Sequence, residues 1–140
     1  MIWWVLGPLA FVAVIVVVIS VHEFGHFVFG KVFGIRVDEF AIGFGPRVIS
    51  RQWGETVYAI RAIPLGGFVR MAGMIGHESE ADAGERNFYR ASIPKRLITL
   101  LAGVTFNVIL GGILFTVVAM LPRPWSYTPG APAMQGGLHD

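Results

Sequence analysis

Two long apolar stretches, Ile2–Val21 and Leu97–Leu121, constrain this chain more than any other feature. A helix needs roughly 20 mainly apolar residues to cross about 30 Å of hydrocarbon, and each stretch supplies them. The balance of residue types agrees: 54% are hydrophobic and only 14% charged, against about a quarter charged in an ordinary soluble domain. A cleaved signal peptide is the rival reading of the first stretch. Such peptides open with a positive region and carry a short apolar core. Here no Lys or Arg precedes Lys31, and the apolar run is longer. The first stretch is therefore read as a retained transmembrane helix.

The charges divide the chain. Ten of the 11 Lys and Arg residues lie between Lys31 and Arg96, and the other is Arg123. By the positive-inside rule the joining segment is cytoplasmic, with the N-terminus and the tail outside; its seven acidic residues count little. The chain then reads as residues 1–30, a first transmembrane helix; 31–96, a cytoplasmic-side segment; 97–121, a second transmembrane helix; and 122–140, an extracytoplasmic tail. A net charge of +2, with no basic cluster interleaved with aromatics, argues against a nucleic-acid partner and leaves the lipid bilayer. With no cysteine, any metal must be held by His, Asp or Glu.

The joining segment carries strand signals. Phe40, Ile42 and Phe44 alternate with Ala41, Gly43 and Gly45, which gives a strand one apolar face. Val57–Ile60 reads as a second strand, Gly54 supplies the turn between them, and Leu65–Val69 continues the sheet after Pro64. The predicted fold class is thus a mainly α membrane protein, two transmembrane helices flanking a β-rich hairpin segment. The hairpin either lies on the cytoplasmic side or dips into the bilayer as a re-entrant sheet, which requires protein or water over its unpaired backbone groups. From Gly73 to Glu85 the chain turns polar and reads as a linker, and Ser92 with Pro94 marks the start of the second helix.

The chemistry sits at the end of the first apolar stretch, in His22-Glu23-Phe24-Gly25-His26, an H-E-x-x-H pattern. Residues four apart lie on one helix face, so His22 and His26 can grip one ion. Glu23 lies about 100° around from His22 and about 60° from His26, close enough to reach a water on the metal without being a ligand. Zinc suits neutral imidazole nitrogens and brings the pKa of a bound water to about 7. Glu23 is then the catalytic base, taking a proton from the attacking water and returning it to the leaving amine. Ionisable groups inside a membrane span are costly and mark function by default. In the second stretch Thr99, Gly103, Asn107 and Gly111 fall four apart and form a small or polar stripe. Close helix packing explains the small residues. For Asn107 packing competes with a substrate-binding role alongside Gly103, in which its amide bonds substrate backbone or a reacting carbonyl oxygen. His77, Glu78, His139 and Asp140 lack ligand spacing and read as solvated loop residues.

These features together resemble the bacterial site-2 proteases, a family of intramembrane zinc metalloproteases. His22–His26 resembles the family's active-site helix. Phe44-Gly45-Pro46 and Ile63–Met71 resemble its hairpin segments, and Gly103 to Asn107 resembles its G-x-x-x-N motif, with Val104 where many members have proline. Pro129–Leu138 looks like the first residues of a PDZ domain. The resemblance implies a re-entrant β-sheet, a bacterial plasma (inner) membrane location, a Zn2+ cofactor and a transmembrane protein substrate. The substrates it implies are membrane-anchored regulators such as anti-sigma factors, in regulated intramembrane proteolysis. It also implies a third zinc ligand, an aspartate from an L-D-G motif on a later helix. That motif is absent here, so the chain reads as a fragment that binds zinc weakly and cleaves poorly alone. Two rivals stand beside this reading: a membrane-anchored zinc protease whose site faces the cytosol, and a non-catalytic membrane scaffold.

Overall fold

The computed structural model describes residues 2–74 and 84–121. The order is α1 (Trp3–Val32), β1 (Val37–Trp53), β2 (Thr56–Met71), two single-turn 3-10 helices at Gly84–Arg86 and Phe88–Arg90, and α2 (Ile93–Met120). Most of the polar linker, with His77, Glu78, Glu80 and Asp82, lies outside the described residues. So does the tail from Pro122, with its PDZ-like run, His139 and Asp140.

Both helices are long and apolar enough to cross a membrane. At 1.5 Å per residue, the 30 residues of α1 extend about 45 Å. Their outward faces remain uncovered: Trp3 is 78% exposed and Phe115 76%. Apolar surface of this extent is unfavourable in water. α2 starts one turn before the apolar run does, so Lys95 and Arg96 belong to its first turn. Ser92 occupies the N-cap position but makes no side-chain cap hydrogen bond, and Pro94 stands in the first turn, where a missing N–H costs nothing.

The strand signals fall inside two long antiparallel strands, each bent on itself. Gln52, Trp53, Thr56 and Val57 close the hairpin around Gly54, whose φ of 62° suits a glycine. Phe40 pairs with Val69 on one side and Tyr58 on the other, and Ala41 likewise pairs with Phe68 and Ala59. On the Tyr58 side the partners ascend together, from Glu39 with Val57 to Ile42 with Ile60. Each strand therefore passes twice through the sheet, giving four passes side by side. Pro46 and Pro64, with no N–H to give, stand where the ladder is interrupted. The face bearing Phe40, Ile42 and Phe44 is the less covered one; Glu39, Ala41 and Gly43 are buried. Small residues explain this, because they let neighbouring backbone close in: a Cβ on Gly43 would lie 2.8 Å from the Ile63 carbonyl oxygen. Glu39, only 2% exposed, is compensated by Arg61 at 2.7 Å, Arg47 at 2.9 Å and Arg70 at 3.7 Å.

A small core joins the hairpin to the foot of α1. Ile35, Val37, Met71 and Phe88 are buried together, with Phe27, Phe33, Val69 and Ala91 against them. The Ala72 N–H donates to the Arg36 carbonyl and the Phe88 N–H to the Ala72 carbonyl, at 2.9 and 2.8 Å. Glu55 accepts from Lys31 of α1 and from Arg86 of the first 3-10 turn, tying three elements through one carboxylate.

Candidate metal centre

The site forms where the backbones of α1 and α2 come into contact, and small residues make that approach possible. A Cβ on Gly25 would lie 2.6 Å from the Ala102 carbonyl oxygen, so only a glycine fits between the two backbones. At the next residue of α2, a Cβ on Gly103 would lie 2.5 Å from His26 Nε2 and 2.7 Å from His22 Nε2. The imidazoles thus occupy the space that a side chain at position 103 would fill.

His22 and His26 turn their Nε2 atoms toward one another at 3.1 Å. The Thr99 carbonyl oxygen lies 2.7 Å from His26 Nδ1. A carbonyl only accepts, so Nδ1 carries the proton and the Nε2 lone pair of His26 is bare. Two nitrogens ligating one tetrahedral zinc at 2.0–2.1 Å stand about 3.3 Å apart, so the observed pair fits a shared ion. Among the described residues no group of three His, Cys, Asp or Glu side chains converges, so these residues bring together two candidate ligands, against the three protein ligands usual for catalytic zinc.

Asn107 stands on the other side of His22, its amide 3.4 Å from Nδ1, and its Oδ1 is buried with no partner among the described residues. The stripe seen in the sequence therefore meets the histidines at Thr99, Gly103 and Asn107. It does not continue to Gly111, where an added Cβ would meet nothing within 4 Å among the described residues. Glu23 and His26 both line a cavity of about 190 Å³, together with Phe68, Val69, Thr99 and Leu100, among others. The hairpin reaches Glu23 through Gly67, where a Cβ would lie 3.3 Å from Glu23 Cγ. Phe24 and Phe29 pack on Phe106 of α2, and Phe27 on Phe40 and Tyr58 of the hairpin, which fixes the rotation of α1.

Sequence reasoning missed three of these contributors. Gly25 sits inside the motif, and its pairing with Ala102 and Gly103 could have been found only by aligning the small residues of both helices. The Thr99 carbonyl carries no side-chain signal at all. Gly67 was legible as a sheet residue but not as a neighbour of Glu23.

The model of peptidase family M50 matches residues 10–135, almost the whole chain. The chain belongs to peptidase family M50. Among relatives of this M50 chain, a protein of Thermotoga maritima provisionally named a zinc metalloprotease is 37% identical over 134 residues, covering 91% of this chain and 27% of the relative. Proteins of Clostridium acetobutylicum and Clostridium perfringens, named in the same way, are 40% and 38% identical, each over 87% of this chain and 36% and 37% of their own lengths. The M50 chain thus spans between a quarter and two-fifths of the relatives it matches.

Proposed function

We propose that the protein is a zinc-dependent endopeptidase that hydrolyses a peptide bond within the membrane. The observation that carries this reading is the convergence of His22 and His26 Nε2 at 3.1 Å on one helix turn, in the space left by Gly103. M50 membership and the names of the relatives support zinc as the metal.

His22 and His26 would hold the ion through Nε2, together with a third ligand from outside the described residues. A zinc held there supplies a Lewis acid and brings a coordinated water to a pKa of about 7. Glu23 accepts a proton from the attacking water and delivers it to the leaving amide nitrogen, a role usually worth 10²–10⁴ in rate. Asn107 and Gly103 face the same space, and the buried, unpartnered end of the Asn107 amide suits a bond to substrate backbone. The small cavity beside Glu23 suits a substrate side chain.

We take α1 and α2 to span a bacterial plasma membrane, with residues 31–96 on the cytoplasmic side and the N-terminus and tail outside, because the basic residues concentrate between the helices. His22 lies nine residues before Lys31, about 13 Å along the helix axis, which favours a site below the lipid surface over one facing the cytosol. The substrate is then a transmembrane segment, of the kind found in membrane-anchored regulators such as anti-sigma factors.

The test is metal content. Full-length protein purified with zinc should carry about one zinc per chain, and a His22→Ala, His26→Ala double variant none. Parent protein without zinc overturns the reading. Single cysteines placed around His22 should resist aqueous thiol reagents; rapid labelling throughout would move the site to the cytosolic surface.

A further inference from the structure

The heavy atoms around His22 admit two proton placements on a neutral ring. With the proton on Nε2, His22 donates to the bare Nε2 of His26 at 3.1 Å, and Nδ1 accepts from the Asn107 amide nitrogen. With the proton on Nδ1, both Nε2 lone pairs face one another, an arrangement that only a cation between them makes favourable. Nδ1 is then a donor, and the group opposite it must accept. Asn107 satisfies both cases, because turning its amide over exchanges Nδ2 for Oδ1 with almost no change in shape. Leu or Ala at this position could serve neither. The unpartnered Oδ1 fits this account: as drawn, the amide spends a donor on His22 while its acceptor is buried without a proton.

We infer that Asn107 is a positioning residue for the metal site, accepting from His22 Nδ1–H when a cation lies between the rings and so holding its Nε2 lone pair toward the position His26 also faces. α2 thereby orients both imidazoles, His26 through the Thr99 carbonyl and His22 through the Asn107 amide, one turn either side of Gly103. Outer partners of ligating histidines typically change metal affinity 10–100-fold when removed. The inference rests on the zinc reading above, but assigns Asn107 an action on His22 that substrate contact alone does not require.

The experiment is zinc affinity by chelator competition on the full-length protein, with Co2+ absorption as a second readout of ligand geometry. Asn107→Leu should bind zinc about 10–100-fold more weakly and alter the Co2+ spectrum in the absence of any substrate. Asn107→Asp, which keeps an acceptor of nearly the same size, should stay within about threefold of the parent. A folded Asn107→Leu that binds zinc as the parent does overturns the inference. If Asn107→Leu does not fold, a Asn107→Asp variant that is folded yet loses zinc overturns it instead. The His22→Ala, His26→Ala variant separates the two claims: if it keeps full zinc, the metal reading itself has failed.

Discussion

Gly103 and His26 stand so close that a single methyl group could not fit between them: a Cβ at position 103 would lie 2.5 Å from His26 Nε2. Both imidazoles border this position, so Gly103→Ala should displace them without replacing either histidine. Zinc affinity should fall at least tenfold while the helices remain folded by circular dichroism. Unchanged affinity in chelator competition would show that the pair can retreat.

Gly25 and Ala102 make the backbone contact that brings α1 to α2. Gly25→Val overpacks a contact made by a carbonyl, which cannot rotate away as a side chain can. The expected cost is about 1–3 kcal/mol, read as a lower temperature of thermal inactivation in detergent. Zinc affinity should fall with it, because Thr99, Gly103 and Asn107 would all move back from the histidines.

Glu23 borders the cavity but contributes no atom to the pair of facing nitrogens. Glu23→Gln should keep the parent's zinc content and lower turnover of a transmembrane substrate by 10²-fold or more. A scaffold protein would keep its function in this variant. Loss of zinc as well would recast Glu23 as a ligand.

Hydrogen bonds from Arg86 and then Lys31 lower the Glu55 pKa from 4.5 to about 2. A carboxylate depressed by folding contributes its full stability above its unfolded pKa and loses it as pH falls through the folded one. Stability should therefore be flat in this respect above about pH 4.5 and decline toward pH 2. With Glu55 30% exposed and Arg86 50%, solvent screening limits the effect to about 1 kcal/mol. Glu55→Gln should remove that slope from the pH-dependence of detergent unfolding; an unaltered slope would assign it to other carboxylates.

The hairpin illustrates how far sequence reasoning reached. Alternation at Phe40, Ile42 and Phe44 announced a strand, and Gly54 its turn. Nothing local announced that Phe40 would have Val69 on one side and Tyr58 on the other, since a doubled-back ladder is built from pairs distant in sequence. For the same reason the better-buried face proved to be that of Glu39 and Ala41. The arginines that make burial of Glu39 tolerable come from positions 47, 61 and 70.

The sequence by itself determined the elements and the chemistry: two apolar lengths sufficient to span a bilayer, and two histidines one turn apart with a carboxylate between them. These depend on composition and helical period, which are local properties. Only the tertiary structure decided how the histidines are aimed. The proton on His26 is fixed by a backbone carbonyl 73 positions away, and the room for both rings by the absence of a side chain at Gly103. Neither a carbonyl nor a missing atom has a residue type of its own, so both become visible only when two helices are laid against each other.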